Sequence, residues 1–285
     1  MSISDFIKGV FIGIANILPG VSGGALAVSM GIYDQLIAAV THFFQEPTKS
    51  IRTLFPYGLG AAAGIVGFSF SAEYLFEHYP VQTSMTFIGL ILGGIPAILA
   101  LIRTGHDKHQ WSLMPVLLCL FTFLLVMNLS LAQTGSQTDM VLSPSVPTAL
   151  WMILVGVIAA ATIVIPGISG SMILMMLGVY QPLLHCINSF LKNVFTLQFA
   201  SALSECLILV PLGLGLVAGI FFCAWIMEFF IKRFQSLTYS GILGLVLSSP
   251  AAILMEIPAQ AFTISSMLGG IILLILALLF SRYIE

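Results

Sequence analysis

Apolar residues run through this chain in long, nearly unbroken blocks, without the alternation of strands or the single stripe of a soluble helix. Blocks long enough to cross a bilayer as helix cover residues 54–76, 83–102, 111–132, 207–231, 239–255 and 262–283. Two further blocks are interrupted. The first, residues 6–18, would be roughly 20 Å long as helix, too short to cross alone. It breaks at Pro19-Gly20-Val21-Ser22-Gly23-Gly24 and resumes over 25–44. The second, 149–165, breaks at Pro166-Gly167-Ile168-Ser169-Gly170-Ser171 and resumes over 172–191. A Pro-Gly pair followed by Ser and more Gly does not continue a helix.

The breaks belong to a longer internal repeat. At a spacing of 147 residues, Pro19, Gly20, Ser22, Gly23, Gly31, Tyr33 and Leu36 meet identical residues. After an 8-residue adjustment the spacing is 155, and Pro56, Gly58, Gly60, Gly64, Glu73 and Gly89 meet Pro211, Gly213, Gly215, Gly219, Glu228 and Gly244. Leu and Ile coincide by chance in so apolar a chain; Pro, Gly, Ser and Glu do not, so the chain reads as a duplicated unit.

If each broken block is a hairpin that enters and leaves on one side, each half has three crossings. An odd number turns the second half upside down relative to the first. Lys and Arg favour cytoplasmic loops. On this count Lys8, Lys49, Arg52, Arg103, Lys108, Lys232, Arg233 and Arg282 share a face and Lys192 lies opposite, 8 to 1. Counting each hairpin as one crossing gives 4 to 5. The expected fold is therefore an all-α integral membrane protein of two inverted repeats, each a re-entrant helical hairpin plus three transmembrane helices, with both termini cytoplasmic. Residues 1–132 form the first repeat (hairpin 4–45), 133–147 the connecting loop, and 148–285 the second repeat (hairpin 148–192).

Paired breaks in corresponding halves point to a transporter's binding site. Ser22 and Ser169 stand where the N-cap of the following helix belongs. The amides beyond an N-cap lack intrahelical partners and suit an anion, phosphate above all. Gly23, Gly24 and Gly170 let a ligand approach the backbone. The candidate substrate-binding residues are Asn16, Pro19, Gly20, Ser22, Gly23, Gly24, Pro166, Gly167, Ser169, Gly170 and Ser171. The plainer alternative is that the Gly-rich breaks only let helices pack closely.

Glu73 and Glu228 are carboxylates near span ends. They read as gating or proton-coupling groups, or as snorkelling side chains. Tyr33 and Tyr180 are interfacial aromatics by default and gate candidates otherwise. Asn16 has Ile163 as its counterpart and stands to bond freed backbone or ligand. The five His residues show no metal spacing. Cys119, Cys186, Cys206 and Cys223 are small apolar-segment residues without CxxC pairing.

Composition narrows the class. The chain has 285 residues, 59% hydrophobic and 7% charged, with mean hydropathy +1.11. Soluble domains carry about 25% charged residues. The first block lacks a following A-x-A site and is not read as a signal peptide.

The Pro-Gly-Val-Ser-Gly-Gly and Pro-Gly-Ile-Ser-Gly-Ser breaks, each with its later Gly-x-Tyr, closely resemble the bacterial polyprenyl-phosphate transporter family of the PopT type, over essentially the whole chain. The resemblance implies return of undecaprenyl phosphate from the outer to the inner leaflet of the bacterial cytoplasmic membrane for envelope polymer synthesis. It implies a lipid partner, no nucleic acid, no cofactor and no catalytic residues. It also implies an Asp at the position where this chain has Asn16, which carries no carboxylate. Two other classes compete. A small-anion channel or exchanger could use the same paired helix starts. A polyprenyl pyrophosphatase would need His with Lys or Arg clamps at the breaks, and the sequence has none there.

Overall fold

A computed structural model describes residues 3–17, 22–104, 113–132, 143–168, 170–196 and 198–284. The described chain is helical throughout. In order it forms α1 (Ile3–Ile17), α2 (Gly23–Ser29), α3 (Tyr33–Thr41), α4 (Pro47–His78), α5 (Pro80–Gly93), α6 (Ile95–Thr104) and α7 (Met114–Ala132). There follow α8 (Val146–Val164), α9 (Gly170–Met176), α10 (Tyr180–Phe195), α11 (Phe199–Arg233), α12 (Gln235–Glu256) and α13 (Ile264–Ile284), with a 3₁₀ turn at Ala259–Ala261. Among the described residues seven stretches are long and apolar enough to cross a membrane, with α5 and α6 together making one of them. This is an integral membrane protein.

Local chemistry explains the boundaries. Pro47 and Pro80 open their helices at positions where no backbone N–H is needed. Ser145 caps α8, its hydroxyl accepting from the Thr148 amide at 3.3 Å. Pro56 and Pro211 sit inside α4 and α11 without ending them. Neighbouring helices can compensate a helix-interior proline in an apolar bundle.

The expected second arms, 25–44 and 172–191, are not single helices. Each is cut in two at the Gly of Gly-x-Tyr. Gly31 has φ 66° and Gly178 φ 67°. The Gly31 amide bonds the Val28 carbonyl and the Ile32 amide the Ala27 carbonyl; Gly178 and Val179 repeat this with Met175 and Leu174. This is the Schellman arrangement, which a left-handed Gly ends most easily. After it α3 departs from α2 at 115°.

Packing pairs recur at the spacings of the sequence repeat. α1 lies along α4 and α8 along α11, while α13 lies along α5 and α7 along α12. A Cβ on Gly60 would strike the Phe6 carbonyl, and one on Gly215 the Ile153 carbonyl. Gly89 meets Leu274 as Gly244 meets Cys119. Such glycines let helix backbones touch. α12 is the centre of the bundle, with 67% of its span buried, against 11% for α7 and 17% for α13. Leu26, Ile91, Ile98, Tyr239 and Val246 form the middle of the core. The outer helices present apolar side chains outward, such as Leu117, Phe121, Trp225 and Leu276, as a lipid-facing surface requires.

Candidate functional site

The site is built around the start of α2 and the end of α8. Ser22 occupies the N-cap position of α2 with extended backbone (φ −103°, ψ 124°), and its hydroxyl makes no cap bond. It is buried. Its carbonyl accepts from the Ala25 amide at 3.0 Å. The Gly23 and Gly24 amides belong to a first turn, which has no intrahelical carbonyls to use. α8 ends at Val164; Ile165 turns extended and Gly167 adopts φ 85°. Gly167 lies against the Leu245 backbone of α12, where a Cβ would not fit. Pro19, Gly20 and Ser169 lie outside the described residues, and the Ser171 side chain is likewise not described.

The two breaks meet. A Cβ on Gly24 would sit 3.1 Å from the Pro166 Cα and 3.4 Å from the Ile163 carbonyl oxygen. A second link is the Tyr33 hydroxyl, which donates to the Val164 carbonyl at 2.8 Å. That carbonyl ends α8 and has no helical partner ahead of it. Tyr33 is buried within the protein. Tyr180 opens α10 and is half-buried.

A polar side chain from the preceding helix overlies each first turn. A Cβ on Gly23 would come within 2.6 Å of the Asn16 side-chain oxygen, so the carboxamide lies on the start of α2. At α9 the corresponding atom is the Thr162 hydroxyl, 2.8 Å from a Cβ on Gly170. The sequence register pairs Asn16 with Ile163, but Ile163 is 53% exposed and Thr162 is 6% exposed. Thr162 was not legible as a site residue: its hydroxyl also donates to the Ala159 carbonyl at 2.7 Å, the usual habit of a helical Thr.

The structure adds a polar seam at the start of α3. Tyr33 reaches α8; Asp34 accepts a hydrogen bond from the Tyr239 hydroxyl of α12; Gln35 lies 3.4 Å from the Tyr57 hydroxyl of α4, which donates to Asp5 of α1 at 3.0 Å. Lys8 closes the far end of α2 by donating to the Met30 carbonyl at 3.1 Å. The polar triplet Tyr33-Asp34-Gln35 was the available signal, but its partners are distant in sequence.

Glu228 pairs with groups outside the breaks. It is buried near the end of α11, 2.6 Å from the Lys232 ammonium and 3.6 Å from the His42 ring beyond α3. Glu73 lies within α4, with its side chain outside the description.

No solved structure matches the chain. A polyprenyl-phosphate transporter of Staphylococcus aureus is 27% identical over 258 residues, covering 90% of this chain and 87% of that protein. A polyprenyl-phosphate transporter of Vibrio cholerae is 25% identical over 261 residues, covering 87% of this chain and 76% of that protein. The family model described as undecaprenyl phosphate translocase-like matches residues 12–268, a range that takes in both breaks and every long helix at least in part. The chain belongs to the undecaprenyl phosphate translocase-like family.

Proposed function

We propose that the protein carries a polyprenyl phosphate, of the undecaprenyl type, across the bacterial cytoplasmic membrane, returning it to the inner leaflet. The observation that carries this reading is the contact of Gly24 with Pro166, which sets the start of α2 against the second break. Together with the family membership, it supports one anion site shared by both breaks. Asn16, Pro19, Gly20, Ser22, Gly23 and Gly24 would supply one side of it. Pro166, Gly167, Ser169, Gly170 and Ser171 would supply the other, with Thr162 added from the geometry. The head group would be held by amides, hydroxyls and a carboxamide.

In this reading residues 1–132 and 148–285 are inverted repeats and each break is the tip of a re-entrant hairpin. The recurrence of packing pairs at the two spacings of the sequence repeat supports the duplication. Sidedness is supported by contacts among helix ends: His42 after α3 meets Glu228 near the end of α11, and Gln235 at the start of α12 donates to Leu101 near the end of α6 at 3.4 Å. These ends carry most of the Lys and Arg and would be cytoplasmic, as would both termini. Glu228 between Lys232 and His42 would then be a gating or proton-coupling group, with Glu73 its counterpart. An unchanged pH profile of flux in Glu73→Gln and Glu228→Gln removes that role.

The test is reconstitution in vesicles with labelled undecaprenyl phosphate and a leaflet-specific readout, alongside a chloride flux measurement. Lipid movement without chloride movement is the expected result. Chloride movement alone would make the protein a small-anion channel or exchanger.

A further inference from the structure

A cleft of about 400 Å³ opens between α7 and α11, with α12 as its floor. Leu118 and Thr122 of α7 form one wall; Met227 and Phe230 of α11 form the other. The floor follows α12 from Phe234 to Leu245, roughly 16 Å at the helical rise of about 1.5 Å per residue. Its inner end is Ile165, the residue before the Pro166-Gly167 break, beside Leu245, on which Gly167 packs. The cleft therefore reaches the second break, which Gly24 at the start of α2 also touches.

The lining makes no polar demand on an occupant. The Thr122 hydroxyl donates to the Gly241 carbonyl at 2.9 Å, and the Thr238 hydroxyl to the Phe234 carbonyl at 2.8 Å. With both hydroxyls bonded to backbone, the surface left to a ligand is hydrocarbon. The floor is also recessed. A Cβ on Gly241 would meet only ordinary contacts, the nearest being Leu118 at 3.6 Å, whereas the neighbouring Gly244 is jammed against Cys119. A missing side chain in a roomy floor suits a chain with methyl branches better than a smooth one. Volumes of a few hundred Å³ are typical of apolar ligand sites.

We infer that this cleft seats the first isoprene units of the polyprenyl phosphate, with its phosphate at the two breaks and the tail running outward along α12. The inference rests on the transport reading above and specifies where the hydrocarbon goes. A phospholipid acyl chain is the competing occupant.

The experiment uses the full chain in vesicles with two probes: undecaprenyl phosphate carrying a diazirine on its first isoprene units, and a phosphatidylglycerol carrying one on its acyl chain. Photolabelling should place the isoprenoid probe on α7, α11 and α12 residues of the cleft, with unlabelled undecaprenyl phosphate competing and phosphatidylglycerol failing to compete. Gly241→Leu should remove that label and lower undecaprenyl phosphate flux about tenfold or more, since one or two methylenes misfitted in an apolar site cost that order. Gly241→Ala, which the floor accommodates, should keep both label and flux. Should Gly241→Leu not fold, the wild-type label map decides by itself. Label on the outer face of α4 or α13, or equal competition by phosphatidylglycerol, overturns the cleft while leaving transport standing. Wild-type vesicles that move no undecaprenyl phosphate overturn both.

Discussion

The two breaks share a motif and a register, yet they are dressed differently. At the first, an amide from Asn16 lies on the start of α2 and a glycine, Gly24, presses on the other break. At the second, the hydroxyl of Thr162 stands at the start of α9, and the residue matching Gly24 is Ser171. The first break sends a side chain across, from Tyr33 to the carbonyl that ends α8. A Pro-Gly pair interrupts a helix by local conformation, so the same residues recur at both places. The side chains around them answer to different neighbours and differ. An anion held between them would meet an amide on one side and a hydroxyl on the other.

This contrast can be broken first at the serines. Ser22→Ala with Ser169→Ala should lower lipid flux on the order of 100-fold, because each lost hydrogen bond to a charged group is worth about 1.5–3 kcal/mol. Vesicle flux beside a check of insertion measures it. If one single variant matches the double, the breaks are unequal partners and only that one holds the head group. Gly24→Ser, which makes the first break read like the second, should destabilise the fold by about 1–3 kcal/mol through overpacking against Pro166. A lower melting temperature in detergent, set beside Gly58→Ala where nothing lies within 4 Å, reports it.

Asn16→Ala should slow flux about tenfold, the scale of one hydrogen bond to a charged group. Thr162→Val should do less, because the Thr162 hydroxyl also has the Ala159 carbonyl as a partner. Equal losses would erase the distinction between the two sides. The smallest effects belong to the two tyrosines, beginning with Tyr33→Phe. Losing its bond to Val164 should cost about 1 kcal/mol of stability. Tyr180→Phe should cost less; the reverse order in thermal melts would reassign the link between the breaks.

Much of this architecture was legible in the residues. Apolar block length gave the long helices, and Pro, Gly, Ser and Glu coincidences gave the repeat register. The split within residues 25–44 and 172–191 leaves no mark on hydrophobicity, because it lies at Gly31 and Gly178. A glycine two residues past the end of a helix, just before a new run opening with Tyr, is a stop signal. The expected boundaries also fell short of the real helices: α4 begins at Pro47 and α11 at Phe199, because polar ends continue as helix beyond the apolar window.

What the chain determined alone was local: where helices form, where Pro and Gly end them, and which stretches must face lipid. These depend on backbone conformation and on transfer from water, both properties of short segments. Tertiary structure decided which polar groups share a place. It brought Gly24 to Pro166, Tyr33 to Val164, Asp34 to Tyr239 and Thr162 to the start of α9. A hydrogen bond across more than a hundred residues leaves no periodicity behind. It exists only once the glycine-lined helices have closed to contact and removed water from between them.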